Sequence, residues 1–251
     1  MIFAYNFPMV SLALVTGSAH RLGKAFALSL ARQGYALLLH YHSAETEAQQ
    51  AAEEIRTLGL PVHLAQADLT QTDGIKSLCN AVDSLLANDE RLAFKVLVNS
   101  AAVMQRSDIE ALSLDDWDST FALNLRAPYA LSKSLSKKMT RGGLIVNVTD
   151  VGAQKPWSGY PAYTASKAGL EVLTRLLARA LAPNIRVNAI APGLVLQSDV
   201  VSTGQWEKLV NRLPLKRAAT LDEIASTLEF LLKNEYITGQ TIVVDGGYSL
   251  I

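Results

Sequence analysis

Two residues four positions apart, Tyr163 and Lys167, carry side chains that can move a proton. A spacing of four places both on one face of a helix, where they are neighbours. A free phenol has a pKa near ~10 and is almost fully protonated at neutral pH. A cation within ~4–6 Å lowers the pKa of a neighbouring acid by ~1–3 units, which makes the phenol a usable proton shuttle. The pair predicts acid–base chemistry at a helix start; the alternative for the pair alone is a solvated helix face.

A loop with two glycines, Thr16 to Gly23, follows the first apolar run and opens into a helix. A tight turn at Gly17 and close packing at Gly23 bring backbone N–H groups at the helix start, such as that of Leu22, towards a pyrophosphate. Arg21 stands where a further glycine is usual, and a guanidinium there can reach phosphate oxygens. The loop predicts a dinucleotide site; the alternative is an ordinary turn with a surface arginine.

The end of the second apolar run indicates which dinucleotide would bind. An NAD-binding domain tends to place Asp or Glu there, roughly 20 residues beyond the loop, to bind the ribose hydroxyls. Here the run is His40-Tyr41-His42-Ser43, and the first carboxylate is that of Glu45. A 2′-phosphate is not repelled, and His42 and Ser43 can donate to it. NADP(H) is therefore the predicted cofactor; the alternative is that the histidines only cap a strand.

Short β-rich runs alternate with longer amphipathic runs along the chain. The predicted strands are Ser11–Thr16, Tyr35–Tyr41, Pro61–Gln66, Phe94–Val98, Gly143–Val148, Ile185–Ile190 and Thr241–Val244. The predicted helices are Arg21–Gln33, Ala44–Leu58, Gln71–Ala87, Asp115–Met139, Ala162–Ala182 and Leu221–Lys233. This alternation predicts an α/β fold: one Rossmann-type domain over residues 1–251, with a doubly wound parallel sheet of about seven strands and helices on both faces. Residues 196–216 show no clear period and are predicted to be a mobile substrate flap.

The composition argues against several functional classes. Basic and acidic residues balance at 23 each, so the chain lacks the positive field of a nucleic-acid-binding protein. Cys79 is the only cysteine, which rules out an internal disulfide and a multi-cysteine zinc site, and we expect no metal. No apolar run reaches the ~20 residues of a membrane span. The apolar stretch from Met1 to Val10 lacks the basic flank and cleavage site of a signal peptide. We expect a cytoplasmic protein acting on a small molecule.

The order of these parts resembles the short-chain dehydrogenase/reductase family over essentially the whole chain. The matching pieces are Thr16–Gly23, Asp68-Leu69, Asn99-Ser100-Ala101, Asn124, Tyr163 with Lys167, Pro192-Gly193 and the closing run Ile237 to Gly247. The resemblance implies an extended Rossmann-type domain, usually a homotetramer. The predicted cofactor-binding residues are Gly17, Arg21, Leu22, Gly23, His42, Ser43, Asp68, Leu69, Asn99, Ser100, Ala101, Lys167, Pro192 and Gly193.

The same resemblance implies a role for each residue of the centre. Tyr163 is the catalytic acid and base, and Lys167 holds the nicotinamide ribose and lowers the pKa of the tyrosine. Asn124 holds a proton-relay water, Asp68 lies near the adenine, and Pro192-Gly193 lies beside the nicotinamide. These residues in this order favour a working catalytic centre.

Within the family the chain is most similar to pteridine reductases and dihydromonapterin reductases. Three features carry this resemblance: Arg21 in the glycine loop, the run His40 to Ser43, and Asp150 where the catalytic serine normally sits, thirteen residues before Tyr163. Met104 falls where better-studied pteridine reductases carry an aromatic residue that stacks on the pterin. The predicted substrate residues are Arg21, Met104, Asp150, Trp157 and Tyr163.

Asp150 also has a physical rationale. Reducing a ketone builds negative charge on oxygen, and an ionised carboxylate ~4 Å away opposes it by ~4 kcal/mol at an effective dielectric of 20. Reducing a ring C=N deposits a proton on nitrogen, which suits a carboxylate that binds N–H groups and passes on protons. The alternative is that Asp150 only caps a turn in a loop.

Three functions follow from these observations. The first is an NADPH-dependent reductase that takes a dihydropterin or dihydrofolate to the tetrahydro form, with Tyr163 and Asp150 managing the protons. The second is an NADPH-dependent carbonyl reductase acting on a ketone or a 3-oxoacyl thioester. The third is a non-catalytic protein that senses NADP(H); the set of Tyr163, Lys167 and Asn124 argues against it, because a sensor needs no proton relay.

Overall fold

The apolar runs of the sequence form the strands of one parallel sheet. The computed structural model of the protein describes residues 9–197 and 201–251. In these ranges the strands are β1 (Val10–Val15), β2 (Ala36–Tyr41), β3 (Val62–Gln66), β4 (Leu92–Asn99), β5 (Gly143–Val148), β6 (Ile185–Pro192) and β7 (Thr241–Val244). Their order is β3-β2-β1-β4-β5-β6-β7, and every neighbouring pair is parallel. The predicted α/β fold with seven strands is confirmed.

Helices cover both faces of the sheet. They are α1 (Arg21–Arg32), α2 (Glu45–Arg56), α3 (Thr72–Asn88), α4 (Leu114–Phe121), α5 (Ala127–Leu135), α6 (Pro161–Leu181), α7 (Thr203–Arg212) and α8 (Leu221–Lys233). Side chains of β1 alternate between two apolar cores: Ala13 and Val15 pack with α1, α2 and α8, and Leu12 and Leu14 pack with α3, α5 and α6. A strand covered on both faces needs apolar residues at every position, which explains the unbroken apolar runs.

The predicted helix Asp115–Met139 is interrupted, which corrects the sequence-based expectation. A π-helical turn, Ala122–Arg126, separates α4 from α5. Pro128 has no N–H group, so it cannot donate the hydrogen bond that an α-helix directs to the carbonyl of Asn124 four residues earlier. A π-helical turn accommodates this missing hydrogen bond, and such turns occur frequently at functional sites. It places Asn124 in the middle of the irregular turn.

The segment predicted as a flap, residues 196–216, contains a helix that the sequence analysis missed. Helix α7 begins with a capping box, in which the Ser202 hydroxyl accepts from the N–H of Gln205 and the Gln205 side chain accepts from the N–H of Ser202. Gly204 lies in its first turn, and none of its residues is buried. Mobility of the segment stays a prediction, and residues 198–200 lie outside the described residues.

Candidate active site

A cavity of about 650 Å³ lies at the carboxyl ends of the strands, beside the point where the strand order reverses between β1 and β4. Ligands of open α/β sheets bind at such a point. Its wall includes most predicted site residues: Gly17, Arg21, Leu22, Gly23, His42, Ser43, Asp68, Leu69, Ser100, Ala101, Met104, Asp150, Trp157, Tyr163, Lys167, Pro192 and Gly193. The structure thus brings together residues that lie up to 176 positions apart in the sequence.

The glycine loop is tied to the loop after β4. The Thr16 hydroxyl accepts the backbone N–H groups of Ser100 and Ala101, each at 3.0 Å. Gly17 has a φ of 64°, and a Cβ there would lie 2.9 Å from the Cα of Ala101. At Gly23 a Cβ would lie 2.0 Å from the carbonyl oxygen of Gly17. Both glycines are therefore required by close backbone approach, as the sequence predicts.

Arg21 shows why a glycine is usual at its position. Its φ is 53°, in the left-handed region that a side chain disfavours by about 1–2 kcal/mol. Its guanidinium donates to the carbonyl of Leu196 at 3.4 Å, at the start of the flap segment. Helix α1 begins at Arg21, and the preceding His20 makes no side-chain capping hydrogen bond. The first N–H groups of α1 face the cavity side of the loop, which leaves them for an anionic ligand.

His40 is a structural residue of the loop, a role that the sequence analysis did not assign. Its Nδ1 accepts from the N–H of Gly17 at 3.1 Å, and its Nε2 lies 3.0 Å from the carbonyl of Ala67. This arrangement needs the neutral tautomer with the proton on Nε2. Burial lowers the pKa of His40 to about 4, which keeps the ring neutral. His42 and Ser43 are exposed at the edge of the cavity, where they can meet a phosphate.

Asp68 and Gly193 line opposite ends of the cavity. Oδ1 of Asp68 accepts from the backbone N–H and the hydroxyl of Thr70, at 2.9 and 2.7 Å, and these bonds lower the pKa of the carboxyl. Oδ2 is left for a ligand. At Gly193 a Cβ would lie 2.7 Å from the Cα of Asp245, so the chain passes tightly under the cavity floor there. Their contacts with the adenine and the nicotinamide stay predictions.

Tyr163 and Asp150 form a hydrogen-bonded pair. The Tyr163 hydroxyl donates to Oδ2 of Asp150 at 2.9 Å, and Oδ1 accepts from the N–H of Gly152 at 2.7 Å. Asp150 therefore caps the short turn Val151–Ala153 with one oxygen and binds the tyrosine with the other. Burial raises the pKa of Asp150, although the bonds from Gly152 and Tyr163 act in the opposite direction. The structure shows the turn cap and the contact with Tyr163; the active-site role of Asp150 stays a prediction.

The pKa of Tyr163 moves in the direction opposite to the one predicted. Burial raises it well above the usual value, and the charge of Asp150 and its hydrogen bond raise it further. The Lys167 ammonium lies 5.7 Å from the centre of the Tyr163 ring and donates to the carbonyl of Val148 at 2.7 Å. Burial lowers the pKa of Lys167 to about 8. A carboxylate in direct contact with the phenol outweighs the more distant ammonium, so Tyr163 is held in its protonated form.

Two predicted residues, Asn124 and Asn99, do not line the cavity and face inward. Asn124 accepts the N–H of Val103 and donates to its carbonyl, both at 2.9 Å, and donates to the Ser166 hydroxyl at 3.1 Å. Both of its N–H bonds are used, so the side chain clamps the loop after β4 to α6, and a relay water stays a prediction. Asn99 donates to Oδ1 of Asn147 at 2.8 Å, behind the loop. Cofactor binding by Asn99 stays a prediction.

Aromatic residues line the cavity near Tyr163. The ring of Trp157 lies nearly parallel to that of Tyr163, at an angle of 13° and a centroid distance of 6.4 Å. Tyr160 and Tyr248 each meet the indole edge-on. Met104, predicted as a substrate residue, is 45% exposed on the same cavity wall. Tyr248 was missed by the sequence analysis because nothing in its local sequence shows that the C-terminal turn folds back on the cavity.

The family assignment follows from comparison with known proteins. Residues 17–249 match a family model described as "Enoyl-(Acyl carrier protein) reductase". A 3-oxoacyl-[acyl-carrier-protein] reductase FabG of Staphylococcus epidermidis is 33% identical over 242 residues, 94% of this chain and 97% of the relative. The chain belongs to the short-chain dehydrogenase/reductase family. It is thus an NAD(P)-dependent oxidoreductase, as the resemblance implies.

Solved structures of this family superpose on nearly the whole chain. FolM alternative dihydrofolate reductase 1 from Brucella canis, complexed with NADP, is 37% identical with a TM-score of 0.88, covering 96% of this chain and 94% of that one. The angucycline C-6 ketoreductase LanV with bound NADP is 26% identical with a TM-score of 0.91, covering 98% and 100%. The fold of this short-chain reductase is therefore shared by enzymes described with very different substrates.

Within residues 9–197 and 201–251 the short-chain reductase offers no cluster of three or more His, Cys, Asp or Glu side chains that could hold a metal ion. None of the helices in these ranges is long and apolar enough to cross a bilayer.

Proposed function

We propose that the protein is an NADPH-dependent reductase that transfers a hydride to a pteridine and takes a dihydropterin or dihydrofolate to the tetrahydro form. The observation that carries the proposal is the 2.9 Å hydrogen bond between Tyr163 and Asp150, a carboxylate where carbonyl reductases of the family place a serine. The likeness to the Brucella canis protein described as an alternative dihydrofolate reductase supports the same substrate class.

The pair of Tyr163 and Asp150 suits a C=N bond better than a C=O bond. A hydride added to the carbon of a ring C=N leaves an electron pair on nitrogen, which must take up a proton. Burial raises the pKa of Asp150 and holds the pKa of Tyr163 well above its usual value, so Tyr163 keeps its proton for delivery. An ionised Asp150 would instead oppose the negative charge that develops on a ketone oxygen. The pair therefore favours proton delivery to nitrogen over stabilisation of an oxyanion.

NADP(H) fits the nucleotide half of the cavity. The backbone cradle at Gly17 and Gly23 would be filled by any Cβ, and the uncapped N-terminus of α1 supplies N–H donors for a pyrophosphate. At the end of β2 the chain carries His42 and Ser43 rather than a carboxylate, so a 2′-phosphate meets donors and no repelling charge. Arg21, at the same edge of the cavity, adds a positive charge for the phosphates.

The chain's own residues bind, orient and supply protons. NADPH, when bound, supplies the hydride from its nicotinamide ring. Lys167 keeps one N–H on the Val148 carbonyl and has further N–H groups for the ribose hydroxyls. Gly152 fixes Asp150 with Oδ2 directed to the Tyr163 hydroxyl. Tyr163 and Asp150 release a proton to the ring nitrogen that receives the electron pair.

NADPH oxidation by the purified protein tests the proposal. The panel contains dihydropterins, dihydrofolate, quinonoid dihydropterin and simple ketones. We expect kcat/KM for the best pterin to exceed that for the best ketone by at least about tenfold, the low end of what a positioned acid contributes. Ready turnover of ketones with every pterin ignored would overturn the pteridine assignment and leave the reductase assignment intact.

A carbonyl reductase is the second candidate. The FabG relative and others like it, 33–34% identical over most of the chain, support a ketone or 3-oxoacyl thioester as substrate. In that case Asp150 is incidental to the chemistry. A non-catalytic NADP(H) sensor, the third candidate, has no use for buried Tyr163 and Lys167 beside the half-buried Asp150, and we set it aside on that ground.

We further propose that the enzyme is a homotetramer acting in the cytoplasm. Val172 and Leu176 on α6 are 49% and 63% exposed, and Tyr129 on α5 is 44% exposed. These exposed apolar side chains on α5 and α6 support burial by further copies of the chain. A sedimentation mass near that of one chain, 27.1 kDa, at micromolar concentration would contradict assembly.

A further inference from the structure

The indole of Trp157 packs against the turn that holds Asp150. A Cβ added at Gly152 would lie 3.3 Å from both Cε3 and Cζ3 of Trp157 and 3.1 Å from Oδ1 of Asp150. Gly152 is the residue whose N–H fixes Oδ1 of Asp150. The space beside the fixed carboxylate oxygen is therefore filled by the six-membered ring of the indole.

Trp157 also covers the second member of the proton-handling pair. Its ring is nearly parallel to that of Tyr163, 6.4 Å away between centroids. One side chain thus packs beside both Asp150 and Tyr163, and all three residues line the cavity. The titratable groups that face Asp150 are Tyr163 and Lys167, both on α6. Neither Trp157 nor Gly152 adds a charge, so the indole acts on the carboxyl by excluding water.

The indole is held in place by packing alone. Its Nε1–H is buried without a hydrogen-bond partner among the described residues. An unpaired buried donor disfavours this position of the ring, so other contacts must hold it there. Tyr160 and Tyr248 supply them by meeting the indole edge-on, with centroid distances of 6.2 and 6.3 Å. Tyr248 belongs to the C-terminal turn, where Lys155 lies 5.0 Å over its ring.

We propose that Trp157 is a positioning residue of the active site, which keeps the Asp150 turn in shape and keeps water from the carboxyl that contacts Tyr163. Tyr248 in the C-terminal turn braces the indole in this role. The inference deepens the proposed reductase function, since it assigns to Trp157 the environment in which the Asp150–Tyr163 pair works. It does not depend on whether the substrate is a pterin or a ketone.

The consequence can be measured without turnover. Partial burial raises the pKa of the Asp150 carboxyl, and further water admitted beside it stabilises the charged form. We expect Trp157→Leu to make Asp150 titrate at a lower pH than in the wild type. The measurement is a carboxyl titration by 13C NMR of protein labelled at aspartate, with the Asp150 signal assigned by its absence from Asp150→Asn. Trp117→Leu is the matched control, because Trp117 stacks on Phe121 in α4 and does not line the cavity.

Two further variants grade the effect. Trp157→Phe keeps an aromatic ring beside Gly152 and loses no hydrogen bond, so we expect a smaller shift in the same direction. Tyr248→Leu removes the brace and leaves Trp157 in the chain, and we expect a shift between those of the other two variants. NADPH titration and thermal melting of each variant confirm that the cavity and the fold are intact.

Kinetics with whichever substrate the wild type reduces completes the test. We expect Trp157→Leu to lower kcat by about tenfold or more with a smaller change in KM, because the proton donor loses its position. A rise in KM alone, with an unchanged titration of Asp150, would overturn the proposal and leave Trp157 as a substrate contact. An equal shift in Trp117→Leu would overturn it as well. Failure of pterin turnover bears only on the substrate.

Discussion

The charge of Asp150 gives the sharpest prediction, because it acts in opposite directions on the two candidate reactions. When the Tyr163 hydroxyl turns its single proton from Asp150 to a ketone oxygen about 2.7 Å away, that oxygen lies within about 4.5 Å of the Asp150 carboxylate, whose Oδ2 is 2.9 Å from the same hydroxyl. At an effective dielectric of 20, two unit charges at that separation repel by about 4 kcal/mol. This repulsion corresponds to several hundredfold in rate at most.

Asp150→Asn and Asp150→Ser separate charge from structure. Asparagine keeps an oxygen for the N–H of Gly152, so the turn is capped while the charge is removed. Serine restores the hydroxyl that carbonyl reductases of the family carry. We expect both variants to lower dihydropterin reduction by at least about tenfold, since the positioned acid is lost. We expect both to leave ketone reduction unchanged or faster, because the repelling charge near the developing oxyanion is gone.

The pH dependence of this contrast has a definite sign. Burial raises the pKa of Asp150, so the carboxylate is fully charged only above that pKa. The gain in ketone reduction on removing the charge should therefore grow as the pH rises. Both substrates are assayed on one preparation of each variant, with NADPH affinity as the control for folding. Equal losses of rate with the pterin and with the ketone would show that the charge of Asp150 does not distinguish the two reactions, and would leave Asp150 as a turn cap only.

Three further predictions concern the cofactor, the proton donor and the nucleotide loop. NADPH should bind at least about tenfold tighter than NADH, because the end of β2 lacks a carboxylate; fluorescence titration of both cofactors measures the ratio, and equal affinities would contradict it. Tyr163→Phe should keep NADPH affinity and retain less than about a tenth of the turnover, as judged by steady-state rates. The pKa of His40 is about 4 in the fold and near ~6.5 in the unfolded chain, so its contribution to stability is present above pH ~6.5 and is lost as the pH falls towards 4. Urea unfolding should show that the free energy of unfolding falls by about 2 kcal/mol between pH 7 and pH 5, and that this fall is absent in His40→Gln. The same pH dependence in His40→Gln as in the wild type would contradict the structural role of His40.

The sheet and the residues at the carboxyl ends of its strands were predictable because their signals are local. Unbroken apolar runs indicate strands that are covered on both faces, and in a parallel sheet the residues that follow the strands meet at one edge. Tyr163 and Lys167 lie one helical turn apart, so their proximity follows from spacing alone. Gly17 and Gly23 were predictable for the same reason, since a tight turn into a helix demands them.

Other features depend on contacts between distant residues. The π turn at Asn124 follows from Pro128, a signal that the sequence holds but that a periodicity argument overlooks. The inward orientation of Asn99 depends on its partner Asn147 on the neighbouring strand. The direction of the pKa of Tyr163 depends on burial and on Asp150, and neither quantity can be read from spacing. His40 acquires its role only when β1, β2 and β3 are in register.

Transfer of a labelled hydride is the direct test of whether the protein reduces a pteridine with NADPH. The protein is incubated with a dihydropterin and NADPH that carries deuterium on the reactive carbon of the nicotinamide, and the products are analysed by mass spectrometry. We expect a tetrahydropterin that contains one deuterium from the cofactor, formed by the wild type and nearly absent with Tyr163→Phe. An unlabelled pterin, recovered while a ketone or 3-oxoacyl thioester in the same mixture takes up the deuterium, would contradict this expectation.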